Sequence, residues 1–293
     1  MSSSSSDAPP RIELAAFETL AARHRAMRLR RTSLGAIAFL AALSFAVHVS
    51  GFDPTVIIAG LPRVHEFFGG MVPPMKLSTL GADLASWFWG IQKWLGLLWT
   101  TVMMALFGTV MGTLVGGLLS FYATPNLGAS GITIFIVRRA LEIARTVPDL
   151  VWALIFMFAF GLGPLAGVLA LFVHSLGAQG KLFAEANENT DPKPLEGVRA
   201  SGGTWLDEIA IGVLPQVLPN FVSYALWRFE INVRTATVIG FVGAGGIGME
   251  LYEAISLNYF DDAGAILLMV FFAVMAIDML SEWARLRLAG LLQ

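Results

Sequence analysis

Residues 93–121 read KWLGLLWTTVMMALFGTVMGTLVGGLLSF, and Lys93, the first of them, is the only charged residue in the run. At about 1.5 Å per residue, a helix of this length exceeds the roughly 30 Å hydrocarbon thickness of a bilayer. The stretch therefore predicts a membrane-spanning helix. Four of its five glycines recur at a spacing that places small residues on one face, a pattern typical of closely packed membrane helices. They are Gly108, Gly112, Gly116 and Gly117.

The composition of the whole chain also indicates an integral membrane protein. Of its 293 residues, 56% are hydrophobic and 14% are charged, whereas soluble domains carry about 25% charged residues. The mean hydropathy is +0.70. This balance excludes a soluble enzyme, a secreted disulfide module and a nucleic-acid-binding protein. Cysteine is absent and the 4 histidines are scattered, so we predict no disulfide, no thiolate nucleophile and no metal site.

Five further apolar stretches bring the predicted total to about six membrane-spanning helices. The third contains several charged residues and Pro148, and we predict that it crosses as one long helix with its basic end reaching the membrane surface. The fold class is thus an all-α integral membrane protein. The predicted spans are 33–51, 93–121, 132–160, 164–183, 215–242 and 263–282.

Basic residues set the predicted orientation, because they favour the cytoplasmic side of a membrane. An arginine-rich arm precedes the first span, whereas the last outer loop, 243–262, contains no Lys or Arg and four acidic residues. We therefore predict that both termini are cytoplasmic and that the first span is an uncleaved signal anchor. The predicted divisions are a cytoplasmic arm 1–32 that starts with a disordered tail 1–10, a first transmembrane helix 33–51, an extracytoplasmic segment 52–92 and a transmembrane domain 93–293.

The polar stretch before the fifth span has a distinctive spacing. Glu196 is followed six residues later by Gly202 and then by the pair Leu214-Pro215, which resembles the EAA loop of ABC importer permeases. In that family the loop forms two short helices at a glycine-containing turn and docks onto a cytoplasmic ATPase subunit. The resemblance implies a coupling loop over 188–215, with a coupling helix. The residues it assigns to ATPase coupling are Glu196, Ala200, Gly202, Leu214 and Pro215.

The same stretch departs from the family pattern at three positions. Gly197 and Val198 stand where the family usually has two alanines, and Gly212 stands where it usually has an isoleucine. An ordinary polar connection between two spans is the alternative interpretation.

A second stretch strengthens the resemblance. Residues 227–248 read WRFEINVRTATVIGFVGAGGIG and look like the fifth-span signature of phosphonate importer permeases, as do RTVPD at 145–149, HSLG at 174–177 and GKLF at 180–183. The resemblance covers about two thirds of the chain, from residue 94 onward. It implies a type I ABC importer permease fold and alternating-access transport of phosphonate or a related phosphorus oxyanion across a bacterial inner membrane. The partners it implies are a dimer of ATPase subunits, an extracytoplasmic substrate-binding protein, a second copy of the permease and membrane lipid.

The resemblance also implies that this chain is not itself an enzyme. ATP and magnesium would bind to the partner ATPase, so we predict no cofactor and no catalytic residue here. The sequence over 243–248 satisfies G-x-G-x-x-G, yet it follows a long apolar helix instead of a strand, which argues against a dinucleotide site. The segment 177–181 also lacks the spacing of a phosphate-binding loop.

Charged residues inside predicted spans are candidates for the transport path, because each costs roughly 2.5–3.5 kcal/mol on insertion scales. Glu230 and Arg234 are four residues apart and can pair on one helix face, which would neutralise both and lock spans together. Alternatively, Arg234, Arg145 or both pass an anionic substrate, since guanidinium groups suit phosphate-like oxygens. His174 is predicted to be a hydrogen-bonded packing residue. The candidate path residues are Arg145, Glu230, Asn232, Arg234, Gly243 and Gly245.

Other functions stay open at this point. The same type of permease could carry phosphate, phosphite or methionine. A secondary transporter would show two similar inverted halves, and we see no such repeat. A lipid-head-group enzyme would need a cluster of Asp, His or Arg at one interface, which only the region 138–145 approaches.

Overall fold

The computed structural model describes the backbone of residues 11–291 and the side chains of 19, 20 and 22–287. The disordered tail predicted for 1–10 lies outside the described residues. Within the described part of the chain every regular element is a helix, so the all-α prediction is confirmed. Two compact units divide the chain, Met1–His65 and Glu66–Gln293.

The first unit is dominated by one long helix. Helix α1, Arg11–Ser50, runs without a break from the predicted arm through the first predicted span, and its part Ala22–Ser50 is long and apolar enough to cross a membrane. All its described side chains are exposed. Such an apolar surface requires apolar surroundings, as a helix in lipid has.

The remaining helices follow in short succession. They are α2 Pro54–Gly70, α3 Leu80–Trp87, α4 Ile91–Ala123, α5 Gly131–Thr146, α6 Asp149–Phe160, α7 Pro164–Glu188, α8 Pro192–Ala200, α9 Trp205–Asp207, α10 Leu214–Ile239, α11 Ile247–Ser256 and α12 Phe260–Leu291. Wider helical turns, Glu208–Val213 and Gly240–Ala244, flank α10. Among the described residues five helices could cross a membrane, or six if the bent pair α5–α6 counts as one span. The prediction of about six spans is confirmed.

The third predicted span differs from expectation. Instead of one crossing helix over 132–160, α5 and α6 meet at an angle of 91°. Val147 adopts an extended conformation between them (φ −73°, ψ 124°). Pro148 is the cause, because proline lacks an N–H and disfavours helical geometry in the residue before it. The prediction of a single uninterrupted helix was wrong.

Helices α4 and α7 pack closely along the predicted small face. A Cβ on Gly108 would lie 2.7 Å from the Cβ of Leu171, and one on Gly112 would lie 2.6 Å from the Cβ of Ser175. A Cβ on Gly116 would lie 2.9 Å from a backbone oxygen of α7. The glycines therefore set how near the two helix axes come, as predicted.

The end of the bundle opposite the coupling loop is fastened by polar contacts. Indole nitrogens of Trp87 and Trp89 donate to the Asp261 carbonyl and the Asp262 carboxylate, both at 2.8 Å. Lys93 pairs with Glu250 of α11 at 2.7 Å. The predicted acidic outer loop is thus a short helix joined to the beginnings of α4 and α12.

Candidate functional site

The predicted coupling loop folds into two short helical segments. Asp191 caps α8, its side chain accepting from the Lys193 N–H at 3.1 Å. Thr204 and Asp207 form a capping box at the start of α9. Between the segments Gly202 has φ +81°, a left-handed conformation that favours glycine. The predicted pair of short helices at a glycine turn is confirmed.

Ion pairing fastens the two segments together. The Arg199 guanidinium donates to both carboxylate oxygens of Glu208, with both distances 3.0 Å, and to the Asn126 carbonyl at 2.9 Å. The hydrogen bond to Glu208 raises the pKa of Arg199, because a hydrogen bond to the charged form of a group favours that form.

The loop is also joined to α10. Leu195 is buried and packs against Gly212, where an added Cβ would lie 3.2 Å from the Leu195 Cα. The Asp191 N–H donates to the Gln216 side chain at 3.0 Å. A rigid displacement of α8 would therefore be transmitted to the start of α10.

The predicted coupling residues differ in how far their side chains are exposed. Glu196, Ala200 and Gly202 are exposed on α8 and its turn, where a partner protein could reach them. Pro215 is exposed in the first turn of α10, where its missing N–H costs no helical hydrogen bond. Leu214 is half-buried and packs inward.

Two charged residues of α10 form ion pairs with α12. Arg234 pairs with Asp278 of α12 at 2.5 Å, and Glu230 pairs with Arg285 of α12 at 3.0 Å. The expected pairing of Glu230 with Arg234 is not formed. Because α10 and α12 run in opposite directions, each charge meets a partner across the helix interface, which sequence spacing within α10 could not reveal.

Asn232 lies on another face of α10 and is fully buried. Its side-chain amide donates to the hydroxyls of Thr109 and Ser175, both at 2.8 Å. Arg228, one turn earlier, donates from Nε to the Ser175 hydroxyl at 3.1 Å. These contacts connect α4, α7 and α10. In this conformation Asn232 joins helices instead of lining an open path.

The break between α5 and α6 brings further charges together. Asp149 Oδ1 lies 3.1 Å from His174 Nδ1 and 3.8 Å from Arg228 Nη2. His174 Nδ1 is also 3.2 Å from the Val147 carbonyl. Both neighbours of this nitrogen are acceptors, so Nδ1 carries a proton. The hydrogen-bonded role predicted for His174 is confirmed, whereas the grouping with Asp149 was missed, although both residues stand in the motifs 145–149 and 174–177.

Arg145 lies in the last turn of α5, next to this break. Its side chain is exposed and forms no hydrogen bond or ion pair with any residue that the structure describes. Its backbone packs on α7, since a Cβ on Gly177 would lie 2.6 Å from the Arg145 nitrogen. An arginine in a membrane-spanning segment normally has a partner, so Arg145 is available to one from outside this chain.

The predicted glycines of the outer mouth form a tight backbone crossing. Gly243 has φ +101° and Gly245 has φ +78°. The Gly243 carbonyl accepts from the Gly163 N–H at 3.0 Å, and a Cβ on Gly245 would lie 3.2 Å from the Pro164 ring. They bring the end of α10 against the start of α7. Their assignment to the transport path stays a prediction.

A large cavity between α4, α10 and α12 offers no site for an anion. It has a volume of about 720 Å³. Nearly all its lining is apolar, with Leu106, Leu114, Phe121, Phe221 and Phe229 among the residues. Such a groove suits a lipid chain or a helix, since an oxyanion needs donors.

A set of membrane-spanning helices, with a two-helix loop at one end and charges at a broken helix, defines a multi-span transport protein. The chain belongs to the family of binding-protein-dependent transport system inner membrane components, which residues 116–289 match. This is a family of multi-pass inner-membrane permeases. The secondary transporter and the lipid-head-group enzyme are therefore set aside.

Two relatives show which kinds of permease the chain is similar to. The phosphite transport system permease protein PtxC of Stutzerimonas stutzeri is 35% identical over 272 residues, 90% of this chain and 94% of that protein. A cryptic phosphonate transport system permease protein, PhnE2 of Escherichia coli K12, is 51% identical over 118 residues, 40% of this chain and 97% of that protein. The resemblance to phosphonate importer permeases is confirmed.

A solved structure shows the same fold. An inward-facing form of the MetNI methionine ABC transporter aligns with a TM-score of 0.59 at 21% identity, covering 73% of this chain and 99% of that chain. The predicted type I ABC importer permease fold is confirmed.

Proposed function

We propose that this chain is the inner-membrane permease subunit of an ABC importer whose cargo is a phosphorus oxyanion such as phosphonate or phosphite. The observation that carries the proposal is the 35% identity to a phosphite permease over 90% of the chain. The structure adds cationic groups near the middle of the membrane-spanning helices, which suit an anionic cargo.

ATP hydrolysis drives the transport from a separate ATPase dimer, which docks on the exposed face of α8. The contacts from Arg199 to Glu208 and from Asp191 to Gln216 support this role, because they connect that surface to α10. A second copy of the permease completes the pore, and an extracytoplasmic binding protein delivers the cargo. The permease itself then needs only a weak polar path.

The cargo is tested with the complete importer, reconstituted in lipid with its ATPase and binding protein. Phosphonate, phosphite, phosphate and methionine are added one at a time while ATP hydrolysis is measured. We expect stimulation by one or more phosphorus oxyanions and none by methionine. Stimulation by methionine alone, or by none of the four, would overturn the proposal.

Both termini and the coupling loop are proposed to face the cytoplasm. Because the chain has no cysteine, single cysteines report sidedness directly. Ala200→Cys on α8 and Ser256→Cys at the end of α11 both change exposed residues. In intact cells we expect a membrane-impermeant maleimide to label the Ser256→Cys protein but not the Ala200→Cys protein. The opposite pattern would reverse the orientation.

A further inference from the structure

The break between α5 and α6 gathers one histidine and one arginine around a carboxylate, with a second arginine in the turn of α5 beside it. Arg145, His174 and Arg228 come from α5, α7 and α10, and Asp149 is the first residue of α6. The N-terminal end of α6 also points its positive dipole end into the break. A broken membrane helix with such an end is a common means of binding an anionic group.

The depth of these residues places them away from both membrane surfaces. Arg228 lies in the middle third of α10, Leu214–Ile239, and His174 lies in the middle third of α7, Pro164–Glu188. Both helices are long and apolar enough to cross a membrane, so their middle thirds lie within the hydrocarbon region. Charges at this depth are rare and costly, and they mark substrate and ion pathways.

The hydrogen bonding of the group is incomplete. The Arg228 side chain is 9% exposed, yet its Nη2 has no hydrogen-bond acceptor, and Asp149 Oδ1 has no hydrogen bond of acceptable geometry. Buried polar atoms are rarely left without partners. The carboxylate is therefore held mainly by charge, which leaves it displaceable by a better acceptor.

The group can be reached from outside the chain. The side chains of Asp149 and His174 are each 18% exposed, and Arg145 is exposed at the rim with no partner among the described residues. An oxyanion with several oxygens could accept from both guanidinium groups at once, which one carboxylate at 3.8 Å from Arg228 does not do.

We propose that the α5–α6 break is a transient oxyanion site within the membrane, in which Arg145, His174 and Arg228 hold the cargo and Asp149 is the resident counter-ion that the cargo displaces. The inference rests on the proposed function and specifies where the anion pauses. On release, Asp149 again neutralises Arg228, so that this buried guanidinium does not face the membrane interior uncompensated.

The test measures retention of radiolabelled phosphite and inorganic phosphate by the permease–ATPase complex in nanodiscs, without ATP or binding protein. Asp149→Asn removes the competing carboxylate, and we expect it to bind the anion at least about tenfold more tightly than the natural chain. Arg145→Gln removes a donor that has no internal partner, so the fold is not at risk, and we expect about tenfold weaker binding. Arg228→Lys keeps the charge but loses the guanidinium fork, and it is expected to weaken binding as well.

Arg139→Gln is the matched control. Arg139 lies on the same helix α5, is exposed, pairs with Glu142 at 2.6 Å and stacks over the Phe135 ring, so its loss should leave anion retention unchanged. Both phosphatidylcholine and phosphatidylglycerol carry a headgroup phosphodiester, but only phosphatidylglycerol has a net negative charge. Weaker retention of the free anion in phosphatidylglycerol than in phosphatidylcholine would therefore indicate competition by an anionic headgroup, whereas equal retention indicates a site for the free anion.

Two results would overturn the inference. One is equal retention, or no retention, by the natural chain, Asp149→Asn and Arg145→Gln. The other is a loss of binding in the Arg139→Gln control equal to that in Arg145→Gln. If phosphite or phosphonate stimulates ATP hydrolysis while these results are obtained, only the site is wrong. If no phosphorus oxyanion stimulates the importer, the proposed function itself fails.

Discussion

Arg234 of α10 and Asp278 of α12 form an ion pair at 2.5 Å between two antiparallel membrane-spanning helices. One turn earlier on α10, Glu230 pairs with Arg285 at 3.0 Å. The two pairs have opposite polarity, so each helix contributes one charge of each sign to them. Together they fix the register of α12 against α10.

This relationship predicts that the charges of the pair can be exchanged. Arg234→Asp should place two carboxylates together and destabilise the purified complex by more than the roughly 0.6–2 kcal/mol typical of polar contacts between membrane helices. Adding Asp278→Arg should restore much of the lost thermal stability. Thermal unfolding in detergent measures both variants.

The variant Arg234→Ala distinguishes a role of Arg234 in helix packing from a role in transport. If the pair only joins helices, the variant should lose stability while the surviving protein keeps its transport rate per molecule. Loss of uptake with normal insertion and bound ATPase would instead assign Arg234 to the path.

Because α4 and α7 approach closely, we expect alanine substitutions at two glycines of α4 to differ sharply in their effect on stability. Gly112→Ala would place a Cβ 2.6 Å from that of Ser175, and we expect a loss of about 1–3 kcal/mol from overpacking. Gly96→Ala, on the same helix, meets no atom within 4 Å and should be nearly neutral. Equal unfolding temperatures for the two variants would contradict the packing.

The glycine turn of the coupling loop predicts a selective loss of partner binding. Gly202→Glu strains a residue at φ +81° and adds a charge to the exposed turn. We expect insertion to persist while co-purification of the ATPase subunit and uptake are abolished. Gly161→Glu is the control, because Gly161 also has positive φ (+89°) and open space around it. If both variants retain the ATPase equally, the loop assignment is wrong.

The Arg199–Glu208 pair predicts how the loop transmits movement. Arg199→Gln removes the bidentate ion pair, so α8 should exchange its amide hydrogens faster and uptake per ATP should fall. Arg139→Gln, on α5 outside the coupling loop and exposed, should change neither quantity. Hydrogen-exchange mass spectrometry of 192–200 and coupled uptake assays measure the two effects.

The sequence by itself determined the membrane class, the approximate spans and the small-residue face along which α4 packs closely. These follow from local properties: a run of apolar residues over 93–121 must leave water, and glycines four residues apart must share a helix face. The two-helix coupling loop followed from its resemblance to a family, and the capping residues Asp191 and Thr204 show why it folds that way locally.

Tertiary structure decided where the charges go. Glu230 and Arg234 are neighbours in spacing, yet both turn to α12, and Asp149 meets Arg228, which lies four helices further along the chain. Pro148 signalled a discontinuity, but the 91° angle depends on how α5 and α6 pack on α7. The partner of a charged residue in a membrane protein depends on its depth in the membrane and on which helices, distant in sequence, pack beside it. The spacing of residues along one helix contains neither piece of information.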